Sequence, residues 1–185
     1  MNLQGERLIP ASIDRIWAAL NDPATLQSCI PGCESLHSTG ENSFESLVAA
    51  KIGPVSARFK GKVQMTDVVP PSGYTLNFDG QGGMAGFAKG SAIVSLSADG
   101  VTTRLAYRAE AKVGGKLAQI GSRLVDAAAS KIAEDFFTAF ERHFLTTTDE
   151  SPAAAAHGVP PVNWWWILVP LTGALLVSIW VVAHH

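Results

Sequence analysis

Residues 114–145 read GGKLAQIGSRLVDAAASKIAEDFFTAFERHFL, and the fold turns on how they are read. After two glycines, apolar residues recur every three or four places: Leu117, Ile120, Leu124, Ala128, Ile132, Phe136, Phe140 and Phe144. That is the period of an α-helix, and it predicts one long amphipathic helix closing a domain of residues 1–145. Its filling is uneven. The first half carries Gly121, Ala127, Ala128 and Ala129, the second Phe136, Phe137, Phe140 and Phe144. If this stripe faces a sheet, small residues leave an apolar cavity at one end while aromatics plug the other. The alternative is a solid core, filled by large side chains from the sheet.

Upstream, the period changes to two. In GPVSARFKGKVQMTD (53–67), Val55, Ala57, Phe59, Val63 and Met65 alternate with Ser56, Arg58, Lys60, Lys62 and Gln64. SGYTLNFDG (72–80) turns Tyr74, Leu76 and Phe78 inward. GVTTRLAYRAEAKVGG (100–115) places Val101, Thr103, Leu105, Tyr107 and Val113 on one face. These are half-buried strands, and the turn residues between them predict an antiparallel meander. NLQGERLIP (2–10) reads as a first strand. ASIDRIWAALND (11–22) follows as a helix capped by Ser12, with Ile13, Ile16, Trp17 and Leu20 on one face. Asp22 and Pro23 then start a second short helix, which Pro31-Gly32 ends. Strand, two short helices, antiparallel strands and a long helix make an α+β fold, a curved antiparallel sheet around the C-terminal helix.

The candidate ligand-binding residues follow from this arrangement. They are Leu117, Ile120, Leu124 and Ala128 on the helix, and Phe59 and Phe78 on strands. Met84 and Phe87 add to them from the glycine-rich stretch GQGGMAGFAKGSA (80–92). That stretch leads from no strand into a helix, so it is no phosphate-binding loop. It reads either as a glycine-rich hairpin or as a gate at the cavity mouth. Arg58, Lys60 and Lys62 share the outer face of one strand, and Arg104, Arg108 and Lys112 that of another. If the two strands are near neighbours they form a basic docking surface; otherwise each is an ordinary solvated face. Cys29 and Cys33 form no metal-ligand set with the scattered histidines and read as packing thiols. No acid–base pair or nucleophilic triad stands out, so no catalytic residue is assigned. A formal net charge of −2 argues against nucleic acid as partner.

Beyond the domain, residues 146–163 are a linker of Ala, Pro and small polar residues, with a flexible-chain span of roughly 25 Å. Residues 164–183 contain no charge. As a helix they extend about 30 Å, one hydrocarbon thickness, with Trp164, Trp165, Trp166 and Trp180 toward the two ends. This predicts a single-pass transmembrane helix acting as a C-terminal anchor. The N-terminus lacks the features of a signal peptide, which places the domain in the cytoplasm.

LIPASIDRIWAALNDPATLQSCIPGCESL (8–36), GPVSARFKGKV (53–63), GGMAGFAKGSA (82–92) and KLAQIGSRLVDAAASKIAEDFF (116–137) together resemble the carbon monoxide dehydrogenase G-subunit (CoxG) family. That family belongs to the START-like (SRPBCC, helix-grip) superfamily. The resemblance covers about residues 1–145. It implies a sheet wrapped around the long helix with a hydrophobic cavity between them. It also implies a role beside molybdenum hydroxylases of the carbon monoxide dehydrogenase type, at the inner membrane. It carries over no catalytic residue.

Joined to the apolar tail, these features lead to a non-enzymatic, membrane-anchored protein. Its cavity is expected to hold a quinone or another membrane lipid, and no covalent cofactor is expected. A pure anchor without ligand and a START-like cyclase or hydrolase are the alternatives.

Overall fold

The computed structural model describes residues 1–146; the linker and the anchor expected at 146–163 and 164–183 lie outside the described residues, apart from Thr146. Strand β1 (Asn2–Ile9) leads into helices α1 (Ile13–Leu20) and α2 (Pro23–Cys29). Six strands follow: β2 (Cys33–Gly40), β3 (Ser43–Ile52), β4 (Val55–Val69), β5 (Gly73–Gln81), β6 (Phe87–Asp99) and β7 (Thr102–Gly114). A single 3-10 turn, Gly83–Ala85, joins β5 to β6. The short α3 (Lys116–Gln119) and the long α4 (Ser122–Thr146) complete the order. The strands form one antiparallel sheet in the order β1-β7-β6-β5-β4-β3-β2. Among the described residues no helix is long and apolar enough to cross a membrane.

Local chemistry explains the two short helices. Asp22 caps α2, accepting from the Thr25 amide at 2.9 Å and the Thr25 hydroxyl at 2.6 Å, and Pro23 occupies the first helical position. α1 turns Ile16 and Leu20 into a core that also takes Ile9, Leu105, Phe140 and Phe144. Ile9, Ile16 and Phe140 are fully shielded from water, each burial contributing about 1.5–3 kcal/mol. Within it the buried Thr103 hydroxyl donates to the Ala11 carbonyl at 2.8 Å, fastening β7 to the start of α1. On β1, the Arg7 guanidinium pairs with Glu134 of α4.

Four expectations need correction. The closing helix is not continuous: α3 ends at Gln119, and Gly121, at φ +90°, lets the chain turn before α4 begins. The apolar stripe also lies elsewhere. Steps of four residues advance roughly 40° each on a helix of 3.6 residues per turn, so Leu124 falls about 200° from Phe144. The buried face of α4 instead runs through Val125, Phe137, Phe140 and Phe144, and Leu124 is 48% exposed. Val101, expected inward, belongs to the β6–β7 turn and is 90% exposed. Finally, β4 and β7 are not neighbours, since β5 and β6 lie between them.

The β2–β3 hairpin is absent from the sequence reading. In SFESLVAAKI the outward positions of β3 include Leu47 and Ala49, so both faces are apolar and the alternation is masked.

Candidate functional site

The register of the sheet explains a cavity. Met65, Leu76, Ala92, Ala109 and Leu3 stand in one row across β4, β5, β6, β7 and β1. The next row is Tyr74, Val94, Tyr107 and Gly5. Large side chains rise where small ones lie low, and α4 adds Ala129 and Ala133 facing this surface. Phe136 and Phe137 bound the space toward the end of the helix, and Leu26, Ile30 and Pro31 bound it from α2 and the turn after it. The cavity, partly open to solvent, has a volume of about 460 Å³, within the range of small-molecule sites.

The wall contains no charged side chain. Its polar side-chain atoms are the phenol oxygens of Tyr74 and Tyr107, and neither makes a hydrogen bond within the described residues. Tyr74 is 6% exposed, its ring edge against Trp17 at 5.7 Å, and burial pushes its phenol well above the usual tyrosine range. Such a wall, almost wholly apolar at its surface, holds an apolar body. No carboxylate, imidazole or thiol faces it.

A second apolar recess, of about 280 Å³, adjoins the first at Val63. Three of the residues chosen from the sequence line it: Phe59, Phe78 and Leu117. Ile120 and Leu124 instead reach the tip of the β3–β4 hairpin, where a side chain at Gly53 would stand 3.6 Å from Leu124. Ala128 is half-buried, outside both walls. Met84 and Phe87 are exposed, the Phe87 ring lying over Gly114. None of the eight residues singled out for binding lines the main cavity. Inward alternation marks Met65, Tyr74, Leu76 and Tyr107, and Ala129 is among the small residues of the helix's first half, while Ala133 lies off the expected stripe and is not marked.

The five expected docking residues lie on the convex face. Arg58 pairs with Glu34 at 2.8 Å, Lys62 with Glu45 at 3.2 Å, and Arg104 with Glu6 and Asp99. Lys60 and Arg108 are exposed and in no described ion pair. Carboxylates are therefore interleaved with the cations, and this face is not a basic field.

Cys29 is buried and Cys33 half-buried; burial raises both thiols, which disfavours the reactive thiolate. Among the described residues no cluster of His, Cys, Asp and Glu could hold a metal.

A sheet gripping a C-terminal helix around an apolar cavity defines a helix-grip fold. Residues 5–144 match the family of the carbon monoxide dehydrogenase G subunit (CoxG), and the chain belongs to that family. Among solved structures, a conserved protein from Geobacillus kaustophilus is 31% identical, with a TM-score of 0.74 over 79% of this chain and 96% of that one. A protein of Thermus thermophilus is 17% identical, with a TM-score of 0.61 over 80% of this chain and 99% of its own. The Zhui aromatase/cyclase of a Streptomyces species is 11% identical, with a TM-score of 0.58 over 86% and 99%, a likeness of fold alone. No curated protein matches the sequence.

Proposed function

We propose that this domain is a non-catalytic carrier of a membrane quinone, held at the bilayer by residues 164–183 and serving a molybdenum hydroxylase of the carbon monoxide dehydrogenase type. The observation that carries the reading is the charge-free, almost wholly apolar cavity of about 460 Å³. An anionic lipid would leave a buried charge without a counter-ion, at a cost of several kcal/mol. A quinone brings an uncharged, apolar ring and tail, which a wall of this kind accommodates. Family membership supports the enzyme partner, and tethering raises the local concentration of whatever docks. With no carboxylate, imidazole or thiol in its wall, the cavity suits binding better than acid–base chemistry.

The test uses residues 1–148, made in a quinone-containing bacterium and purified without detergent. The Geobacillus relative, 96% of which is covered by the match, is a chain of little but this domain, so the fragment is a self-standing fold. An organic extract goes to mass spectrometry beside a buffer blank and an unrelated protein. A stoichiometric quinone is the expected result. A different stoichiometric lipid would keep the cavity and remove the electron-transfer role. A domain that is empty and takes up no added quinone would leave an anchor alone.

A further inference from the structure

The two ends of the sheet carry opposite charge. At one end stand Glu41 in the β2–β3 turn, Asp67 near the end of β4 and Asp99 at the end of β6, the last paired with Arg104. At the other end, β3 meets β4, β5 meets β6, and β7 runs into α3 and α4. There, residues 49–58, 80–90 and 112–125 contain Lys51, Arg58, Lys89, Lys112, Lys116 and Arg123 and no Asp or Glu. Arg58 and Lys89 are engaged by Glu34 and Asp79. Lys51, Lys116 and Arg123 are exposed and enter no described ion pair.

Large apolar side chains stand out of this same end. Met84 is 84% exposed, Leu124 48% and Phe87 41%. The surface is continuous: Leu124 reaches the β3–β4 tip at Gly53, α3 packs on the 3-10 turn that bears Met84, and Phe87 covers Gly114. Apolar tips flanked by Lys51, Lys116 and Arg123, with the nearby Glu34 and Asp79 already paired to Arg58 and Lys89, are what an anionic bilayer interface rewards.

We propose that this end is a docking surface for a bilayer with anionic headgroups. Lys51, Lys116 and Arg123 meet phosphates, and Met84, Phe87 and Leu124 enter the interface. Resting on the carrier reading, the inference deepens it. The recess lined by Leu117 and Phe59 also takes Ile52 and Ala88 from this end of the sheet, so a docked bilayer would lie on its side of the fold. α4 ends at the other end of the sheet, where Arg15 of α1 lies 5.7 Å from the Phe144 ring centroid. Fully extended, residues 147–163 span roughly 56 Å, against about 37 Å for α4, so the chain is long enough for the tip to face the bilayer.

Flotation of residues 1–148 with vesicles tests this. Vesicles of phosphatidylcholine alone are compared with vesicles containing about 30% phosphatidylglycerol, at low and high salt. Salt-sensitive binding to the anionic vesicles is expected. Lys51→Glu, Lys116→Glu and Arg123→Glu together should weaken it at least about 100-fold. Met84→Ser with Leu124→Ser should weaken it about tenfold, and Arg108→Glu on the convex face should leave it unchanged. Equal binding to neutral vesicles overturns the proposal, as does indifference to the triple change or an equal loss with Arg108→Glu. So does a triple variant that binds vesicles normally but loses an acidic protein partner. Quinone content of the same samples separates the two readings. Quinone without vesicle binding sinks the docking surface alone, and vesicle binding without quinone sinks the cargo alone.

Discussion

Tyr107 of β7 stacks on Phe137 of α4, their ring centroids 4.9 Å apart and their planes inclined by 28°. The pair joins sheet to helix across the groove, and both rings are part of the cavity wall. Phe137 also has the Arg7 guanidinium over its ring, 6.0 Å from the centroid. One wall of the cavity is thus fixed by an aromatic contact and a cation, while the wall of Ala129 and Ala133 is low.

Filling the low wall should abolish binding without unfolding the domain. Ala129→Phe and Ala133→Phe each place a ring where the structure has open volume, so overpacking costs no more than about 1–3 kcal/mol. The expected outcome is a loss of bound lipid of at least tenfold by mass spectrometry, with the thermal transition retained. Unchanged lipid content would place the ligand outside this cavity.

Tyr74 should stay protonated far into the alkaline range. Burial disfavours its phenolate, so above about pH 10 the unfolded chain binds fewer protons than the folded one, and stability falls as pH rises. In a Tyr107→Phe background, phenolate absorbance should appear only with unfolding. Tyr74→Phe should also weaken quinone binding about tenfold if its O–H donates to a carbonyl, and leave a purely hydrocarbon ligand unaffected.

Gly86 should tolerate no side chain. Its φ is +110°, and a Cβ there would collide with the Gly114 carbonyl, where the start of β6 lies on the end of β7. Gly86→Ala should destabilise the domain by about 1–3 kcal/mol in a denaturant midpoint. Gly83→Ala, with open space around it but also a positive φ, should cost less.

Loss of the Asp22 cap should be felt and should depend on pH. The Thr25 hydroxyl, followed by the Thr25 amide, holds the Asp22 carboxyl below the usual carboxylate range. Its contribution is complete above that range and is lost as pH falls from about 4 through the depressed value. Asp22→Ala should cost about 1 kcal/mol at neutral pH. The difference from the parent should shrink in acid; a difference that is flat with pH would mean the carboxylate itself contributes nothing.

Local features were legible in the order of the residues. Alternation assigned the inward faces of β4, β5 and most of β7, because neighbouring side chains on a strand must point oppositely. Asp22-Pro23 set the start of α2, because the cap accepts from amides the first turn leaves unpaired and proline brings none of its own. The motifs from Leu8 to Phe137 carried the family, and with it the wrapped sheet. Long-range packing set the rest. Whether Arg58 and Arg104 share a patch depends on strand order, and two strands intervene. Which face of α4 is inward depends on the helix's rotation against the sheet, and an apolar stripe spaced by fours drifts around a helix of 3.6 residues per turn. That rotation put Ala129 and Ala133, rather than Leu124, over the sheet, and the cavity lies where those small side chains meet the rows of Leu76 and Tyr107.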